Sequence, residues 1–260
     1  MRKVAIIQAR MGSSRLPGKV LKPLAGVPVI RQVYSRVRRI PELDDVVVAT
    51  TQSPKDDVLA AYCERERIPI FRGSEDDVLD RYYQVAGQLN ADVVMRITAD
   101  CPFIDPRVSY RVLRLLVDDP ECEYANNSLP RTFPDGLDTE VVRMETLARI
   151  WREVADPRYR EHVTYYISSH PDRFRVRSVV SPVDYSHHRW TLDRPEDYEM
   201  LSRIAEELKR RGQFGYMEEI LAILEEHPEI AAINRHIPYN EAVQKLERER
   251  RTTRGAGTDG

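Results

Sequence analysis

Through the first hundred positions, short β-branched runs alternate with stretches whose apolar residues recur at helical spacing. That alternation predicts crossover units building a mostly parallel sheet. The runs "VAIIQA" (4–9), "DVVVAT" (45–50), "IPIFRG" (68–73) and "DVVMRIT" (92–98) are the strand candidates. Between them, "VIRQVYSRVRRI", "KDDVLAAYCERER" and "EDDVLDRYYQVAGQLN" predict amphipathic helices, with Asp76 or Asp77 placed to cap the third.

Beyond Pro106 the pattern changes. A helix "RVSYRVLRLLVDD" leads into "CEYANNSLPRTFPDGLDTEVVRM", whose turn residues and short strands predict a hairpin-like excursion instead of another crossover. A helix over "METLARIWREV", the segment "HVTYYISSHP", and strands "FRVRSVV" and "HHRWTLD" follow. Helices over "EDYEMLSRIAEELKRRG" and "YMEEILAILEEHPEI" close a single α/β domain spanning 1–245. Residues 246–260, ending "RTTRGAGTDG", are too polar and glycine-rich to pack and are expected to form a flexible tail.

Composition narrows the function classes. With 260 residues, 42% of them apolar, the chain can bury one sizeable core. Its 40 basic and 42 acidic residues nearly cancel to a formal charge of -2, so bulk attraction to nucleic acid is not expected. Cys63, Cys101 and Cys122 are odd in number and form no CxxC pair, which argues against a disulfide framework and a cysteine zinc site and suits a reducing cytoplasm. The basic start "MRKVAIIQAR" carries an apolar run too short for a signal peptide, and no stretch reaches the roughly 18 apolar residues that would cross a bilayer.

The candidate chemistry begins in "QARMGSSRLPGKVL" (8–21), a small-residue turn after the first strand. It resembles a phosphate loop, but five residues separate Gly12 from Gly18, and Val20 stands where that motif needs a metal-binding hydroxyl. Backbone N–H groups at Gly12, Ser13 and Ser14, with the cations of Arg10, Arg15 and Lys19, suit a polyphosphate. A solvated surface loop is the plain alternative. In "RITADCPFIDP", Asp100 follows an apolar strand, where ligands bind in open α/β sheets, and could hold Mg²⁺. In "HRWTLDRPEDYE", Asp193 is expected to end another strand just before a helix starting near Pro195, and Asp193 or Glu196 could equally serve as a helix cap. Two strand-end carboxylates sharing a metal would supply the ligand that the first loop lacks.

These segments, with "FRGSEDDVLDRY", "FPDGLDTEVV" and "REHVTYYI", occur in order over about residues 4 to 200. Together they resemble the cytidylyltransferase family that activates acidic sugars, most closely its branch similar to the spore-coat polysaccharide biosynthesis protein F. The resemblance implies a three-layer α/β/α nucleotide-diphospho-sugar transferase fold, CTP and Mg²⁺ as partners, and a homodimer. It also implies that Arg10, Arg15 and Lys19 contact the triphosphate and that Asp100 and Asp193 hold the metal. Gln8, Ala9, Asp77, Arg81 and Arg96 would then lie towards base and ribose.

Nucleotidyl transfer needs positioning and charge neutralisation at the pyrophosphate leaving group, with no covalent enzyme intermediate. On this reading Arg10, Lys19, Asp100 and Asp193 are the catalytic set. A small anionic acceptor, either a sugar acid or a phosphorylated alcohol, would meet Asn127, Arg131, Asp135, Asp138, Glu140, His187 and Arg189. Residues 122–185 would form the acceptor or subunit-contact region. Asp135-Gly136 reads equally as a turn, His162 as structural, and Trp151 and Trp190 as core or pocket walls. Two other functions fit the fold. One is a glycosyltransferase using a nucleotide-sugar donor, and the other is a non-catalytic nucleotide-binding regulator, against which the retention of both carboxylates speaks.

Overall fold

The computed structural model describes residues 1–238, so the predicted tail at 246–260 lies outside the described residues. The chain opens with β1 (Lys3–Gln8), a two-residue ribbon of β2 (Pro23–Leu24) and β3 (Val27–Pro28), and α1 (Val29–Val37). Crossover units follow through β4 (Asp45–Thr51), α2 (Asp57–Arg65), β5 (Ile70–Gly73), α3 (Val78–Gln88), β6 (Val93–Thr98) and α4 (Pro106–Asp118). The third predicted helix starts one residue after Asp77, whose carboxylate accepts the Asp80 N–H at 2.8 Å and caps it.

The seven-stranded sheet has the order β5-β4-β1-β6-β8-β7-β9, where β7 is Tyr124–Asn126, β8 is Glu140–Arg143 and β9 is Val176–Ser178. β1 is central and pairs in parallel with β4 (Ile6 opposite Val47) and with β6 (Ile6 opposite Arg96). β8 alone runs antiparallel to its neighbours β6 and β7. The predicted hairpin-like excursion is thus built into the main sheet as β7 and β8.

Val4 to Ile7 of β1 are fully buried, because helices cover both faces. Alternate residues serve opposite cores. Ala5 and Ile7 join a cluster with Val33 of α1, Leu113 of α4, and Leu201 and Ile204 from a helix late in the chain. Val4 and Ile6 join Leu79 and Tyr82 of α3 and Leu147 and Ile150 of α5 (Met144–Glu153). This is the three-layer α/β/α arrangement expected.

Two short helices, α6 (Pro157–Glu161) and α7 (Tyr165–Ser168), precede β9, and α8 (Pro195–Arg211), α9 (Met217–Glu226) and α10 (Pro228–Ala232) follow it. The stretch predicted as one last helix is split by Pro228, which lacks the N–H to continue the helical ladder.

A second expectation also fails. "HHRWTLD" forms no strand, only an isolated bridge between Arg189 and Asp135. Its N–H groups are shared between separate partners: Trp190 donates to the Asp135 carbonyl at 2.6 Å and Leu192 to the Asp100 carbonyl at 2.8 Å. The segment therefore bridges the loop before β8 and the turn after β6 instead of extending a ladder beside one strand. Gly136 makes that approach possible. Its φ is +108°, and a Cβ there would lie 2.6 Å from the Trp190 carbonyl carbon and 2.9 Å from the Thr191 nitrogen.

Gly136→Ala is accordingly expected to destabilise the fold by about 1–3 kcal/mol or more and to displace the segment leading to Asp193. Chemical denaturation checks the first effect, and wild-type stability in the variant would remove the close-approach argument.

Candidate functional site

The strand order reverses between β1 and β6: the chain runs outward through β4 and β5, then returns to the other side of β1. Ligands of open α/β sheets bind in the crevice outside the carboxyl ends of strands at such a point. A cleft of about 310 Å³ opens there, walled by Gln8 and Ala9 after β1 and by Thr98, Ala99 and Asp100 after β6. Arg10, Gly12, Ser13, Ser14, Arg15 and Lys19 contribute the loop side.

The loop is held from inside. Leu16 and Val20 are buried, so the residue that replaces a metal-binding hydroxyl is an apolar anchor. The Met11 carbonyl accepts the N–H groups of Ser13 (2.9 Å) and Gly18 (3.2 Å). The Ser13 N–H is therefore engaged within the loop, while Ser13 itself lines the cleft. Gly18 adopts φ +68°, a left-handed turn that starts the 3-10 turn Lys19–Leu21 and directs Lys19 into the cleft.

Beneath the loop lies Asp56, a buried carboxylate that the sequence pattern did not single out. It accepts the Met11 N–H at 2.7 Å, the Thr50 and Thr51 hydroxyls at 2.8 and 2.5 Å, and the Thr51 N–H at 3.1 Å. These bonds outweigh the cost of burial and hold its carboxyl below the usual carboxylate range. Its one signal in the sequence is its place just past the carboxyl end of β4.

Asp100 and Asp193 converge on one ammonium. Lys19 Nζ stands 2.6 Å from Asp100 Oδ2 and 2.8 Å from Asp193 Oδ1, bridging residues 81 and 174 positions away in the chain. Burial disfavours the Lys19 charge, but the two carboxylates more than offset it and raise its pKa above the ordinary value. Arg15 reaches Asp193 Oδ2 at 3.1 Å, and Arg189 Nη2 reaches the same oxygen at 3.2 Å. Burial pushes the Asp193 pKa up, and Lys19, Arg15 and Arg189 overcome that and hold it at about 2.

The expected base and ribose residues divide. Gln8, Ala9 and Arg96 line the cleft, whereas Asp77 and Arg81 are not among its lining residues. Asp77 caps α3 and pairs with Arg160 at 2.7 Å. Arg81 is 1% exposed and packs against Gly73, where a Cβ would meet its side chain at 3.1 Å.

None of the seven expected acceptor residues lines the cleft; most belong to a layer of ion pairs beside it. Arg131 grips Asp138 through two bonds of 2.6 and 2.5 Å. Glu140 is the counter-ion of Arg96 and also accepts the Tyr124 and Thr164 hydroxyls at 2.9 Å each. Asn127 is fully buried and ties the excursion together, donating to the Leu137 carbonyl and accepting the Thr139 N–H at 2.8 Å each. His187 borders a separate crevice of about 20 Å³ with Trp190 and Asn234. Asn127 is thus engaged in backbone bonds, and His187 borders a crevice separate from the cleft.

Asp135 pairs with Arg189 Nη1 at 3.1 Å, yet its pKa is raised to about 7. Burial is the main cause and neighbouring Asp138 adds to it, while Arg189 divides its charge among Asp135, Asp193 and Asp197.

Glu161 and His162 form a wall that the sequence pattern did not assign to the cleft. Burial lowers the His162 pKa, which favours the neutral ring. Of the tryptophans, Trp190 is fully buried in the core, and Trp151 stacks on Tyr83 at 4.2 Å and donates to Asp80.

Residues 4–245 match the family model described as cytidylyltransferase. The spore coat polysaccharide biosynthesis protein SpsF of Bacillus subtilis is 35% identical over 234 residues, covering 87% of this chain and 95% of that protein. A solved cytidylyltransferase from Leptospira borgpetersenii is similar with a TM-score of 0.83 and 29% identity, covering 89% of this chain and 97% of that one. CMP:2-keto-3-deoxy-manno-octonic acid synthetase complexed with CTP shares the fold, with a TM-score of 0.60 and 20% identity over 80% of this chain and 99% of that chain.

Because the raised Asp135 pKa means the folded state binds a proton that the unfolded state has released, its stabilising contribution is present below about pH 4 and declines as pH rises through about 7. The melting temperature of Asp135→Asn relative to the wild type should therefore climb between about pH 5 and pH 8. A difference that is flat with pH would contradict the raised value.

Proposed function

The chain belongs to the cytidylyltransferase family, and from that premise we propose that it transfers CMP from CTP to a small anionic acceptor, releasing pyrophosphate. The observation that carries this reading is the convergence of Lys19, Asp100 and Asp193 at the mouth of β1 and β6, with Arg10 and Arg15 on the same wall. Three separate segments supply cations for phosphate and carboxylates for a cation within one cleft.

Two hard oxygen donors suit Mg²⁺, which is commonly held by one or two carboxylates together with substrate phosphates. Their fit to a cation is visible in the ammonium they already share. Among the described residues no cluster of three or more His, Cys, Asp or Glu is placed to hold a metal, so Asp100 and Asp193 would be the protein's share of the coordination. When bound, the ion would neutralise phosphate charge and polarise the phosphoryl group.

The chain's own groups do the positioning. Arg10, Arg15 and Lys19 would hold the β- and γ-phosphates and offset the charge growing on pyrophosphate as the bond to the α-phosphorus breaks. Lys19 is held charged by its partners, which suits that task. Gln8, Ala9 and Arg96 would face the nucleoside, with Glu140 fixing Arg96 from behind. An acceptor oxygen would attack in line with the departing pyrophosphate.

A sugar acid or an alcohol phosphate suits the cationic wall, and Glu161 and His162 extend it with hydrogen-bonding groups. The solved relative named for 2-keto-3-deoxy-manno-octonic acid supports the sugar-acid arm, and SpsF supports a place in surface polysaccharide synthesis. The same proposal includes a homodimer using residues 122–185 and action in a reducing compartment such as the cytoplasm, where the buried free thiols of Cys63, Cys101 and Cys122 would persist. No helix among the described residues is long and apolar enough to cross a membrane.

Pyrophosphate release should be measured with CTP, UTP, ATP and GTP against a panel of acidic sugars and alcohol phosphates in the presence of Mg²⁺. CTP with one acceptor class is expected to respond, and Asp100→Ala and Lys19→Met should each lower kcat/KM on the order of 10²–10³-fold. Full activity in Asp100→Ala would remove the metal assignment, and release of a nucleoside diphosphate from a nucleotide sugar would replace this reading with glycosyl transfer.

A further inference from the structure

We infer that Asp197 is a positioning residue for the cation site of Asp100 and Asp193, fixing Asp193 and Arg189 relative to one another through its two carboxylate oxygens. The inference rests on the reading of Asp193 as a cation-facing carboxylate. Asp197 is fully buried in the first turn of α8. At that position a carboxylate ordinarily caps the helix, and Asp197 Oδ2 does so, accepting the N–H groups of Asp193 and Arg194 at 3.0 Å each.

Capping accounts for only part of its bonding. Arg189 donates to both oxygens, Nε to Oδ1 at 2.9 Å and Nη2 to Oδ2 at 3.0 Å, a bidentate pair that fixes the plane of the guanidinium. The guanidinium so fixed spends its other bonds on the site: Nη2 reaches Asp193 Oδ2 and Nη1 reaches Asp135. Asp193 is thus held twice from one carboxylate, through its own backbone and through Arg189. Its Oδ2 meets Arg15 and Arg189, which leaves Oδ1 turned toward Lys19 and Asp100.

Asn234, just after α10 and 2% exposed, closes the arrangement. Its Nδ2 donates to Asp197 Oδ1 and to the Arg189 carbonyl at 2.9 Å each. A residue near the end of the described chain therefore braces a site built from the start and middle of it. A helix cap alone would need neither the bidentate arginine nor this amide.

The test uses the full chain with Asp197→Asn and Asn234→Ala. Mn²⁺ binding in the presence of CTP, without acceptor, is read by electron paramagnetic resonance beside circular dichroism and steady-state kinetics. Folded Asp197→Asn should bind Mn²⁺ about tenfold or more weakly, as substitutions behind a metal ligand do, and is expected to lose kcat more than it raises the KM for CTP. Asn234→Ala should shift Mn²⁺ affinity in the same direction by a smaller factor of about two to five. Wild-type Mn²⁺ affinity in folded Asp197→Asn would overturn the inference. Should that variant fail to fold, Asn234→Ala decides, and unchanged Mn²⁺ affinity there overturns it. Wild-type protein that binds Mn²⁺ and CTP but transfers CMP to no acceptor would remove the proposed reaction while this inference stands; wild-type protein that binds no Mn²⁺ would remove both.

Discussion

The ion pair of Lys19 with Asp100 and Asp193 sets the terms for the surrounding structure. Carboxylates at the end of a buried sheet repel one another and are costly to desolvate, so each needs a cation or several N–H groups close by. Where cations crowd, as around Asp193, the carboxylate is strongly favoured and its pKa falls to about 2. Where one arginine is divided, as at Asp135, burial wins and the pKa rises to about 7. One mixed-charge cluster therefore contains a carboxylate held ionised and another that titrates near pH 7, and the difference comes from the burial of Asp135 and the Asp138 charge beside it against the three cations that meet Asp193.

The fold makes this cluster by topology. Reversal of strand order at β1 brings the loop after residue 8 beside residue 100, and the bridging segment that touches the Asp135 and Asp100 carbonyls delivers residue 193 to the same place. Support for the first loop comes from Asp56 in the turn between β4 and α2, and support for Asp193 comes from the start of α8. Neither group lines the cleft, yet both decide where the groups that do line it sit.

The crossover half of the molecule was legible because buried parallel strands and amphipathic helices have distinct periods, which is why β1, β4, β5 and β6 fall where the apolar runs lie. Arg15, Lys19, Asp100 and Asp193 stood out by charge type in turns that follow apolar runs, although the run before Asp193 forms no strand. Less legible was anything determined by contacts distant in sequence. The segment before Asp193 has strand-like residues but bonds to two unrelated carbonyls, and no local pattern records that. Asn127 has the chemistry of a substrate contact, and only the folded excursion shows its amide consumed by Leu137 and Thr139. Asp56 and Asp197 resemble ordinary turn and cap residues in sequence, and only their full sets of donors distinguish them.

On the proposed function, three segments far apart in the chain form one site for a cation and a triphosphate. Crystals grown with Mn²⁺ and CTP, studied by anomalous diffraction, test this most directly. The expected result is an anomalous peak contacting both Asp100 and Asp193, with the Lys19 ammonium moved from between them onto phosphate oxygens. A peak away from these two carboxylates, or Lys19 still bridging them while CTP occupies the cleft, would contradict it.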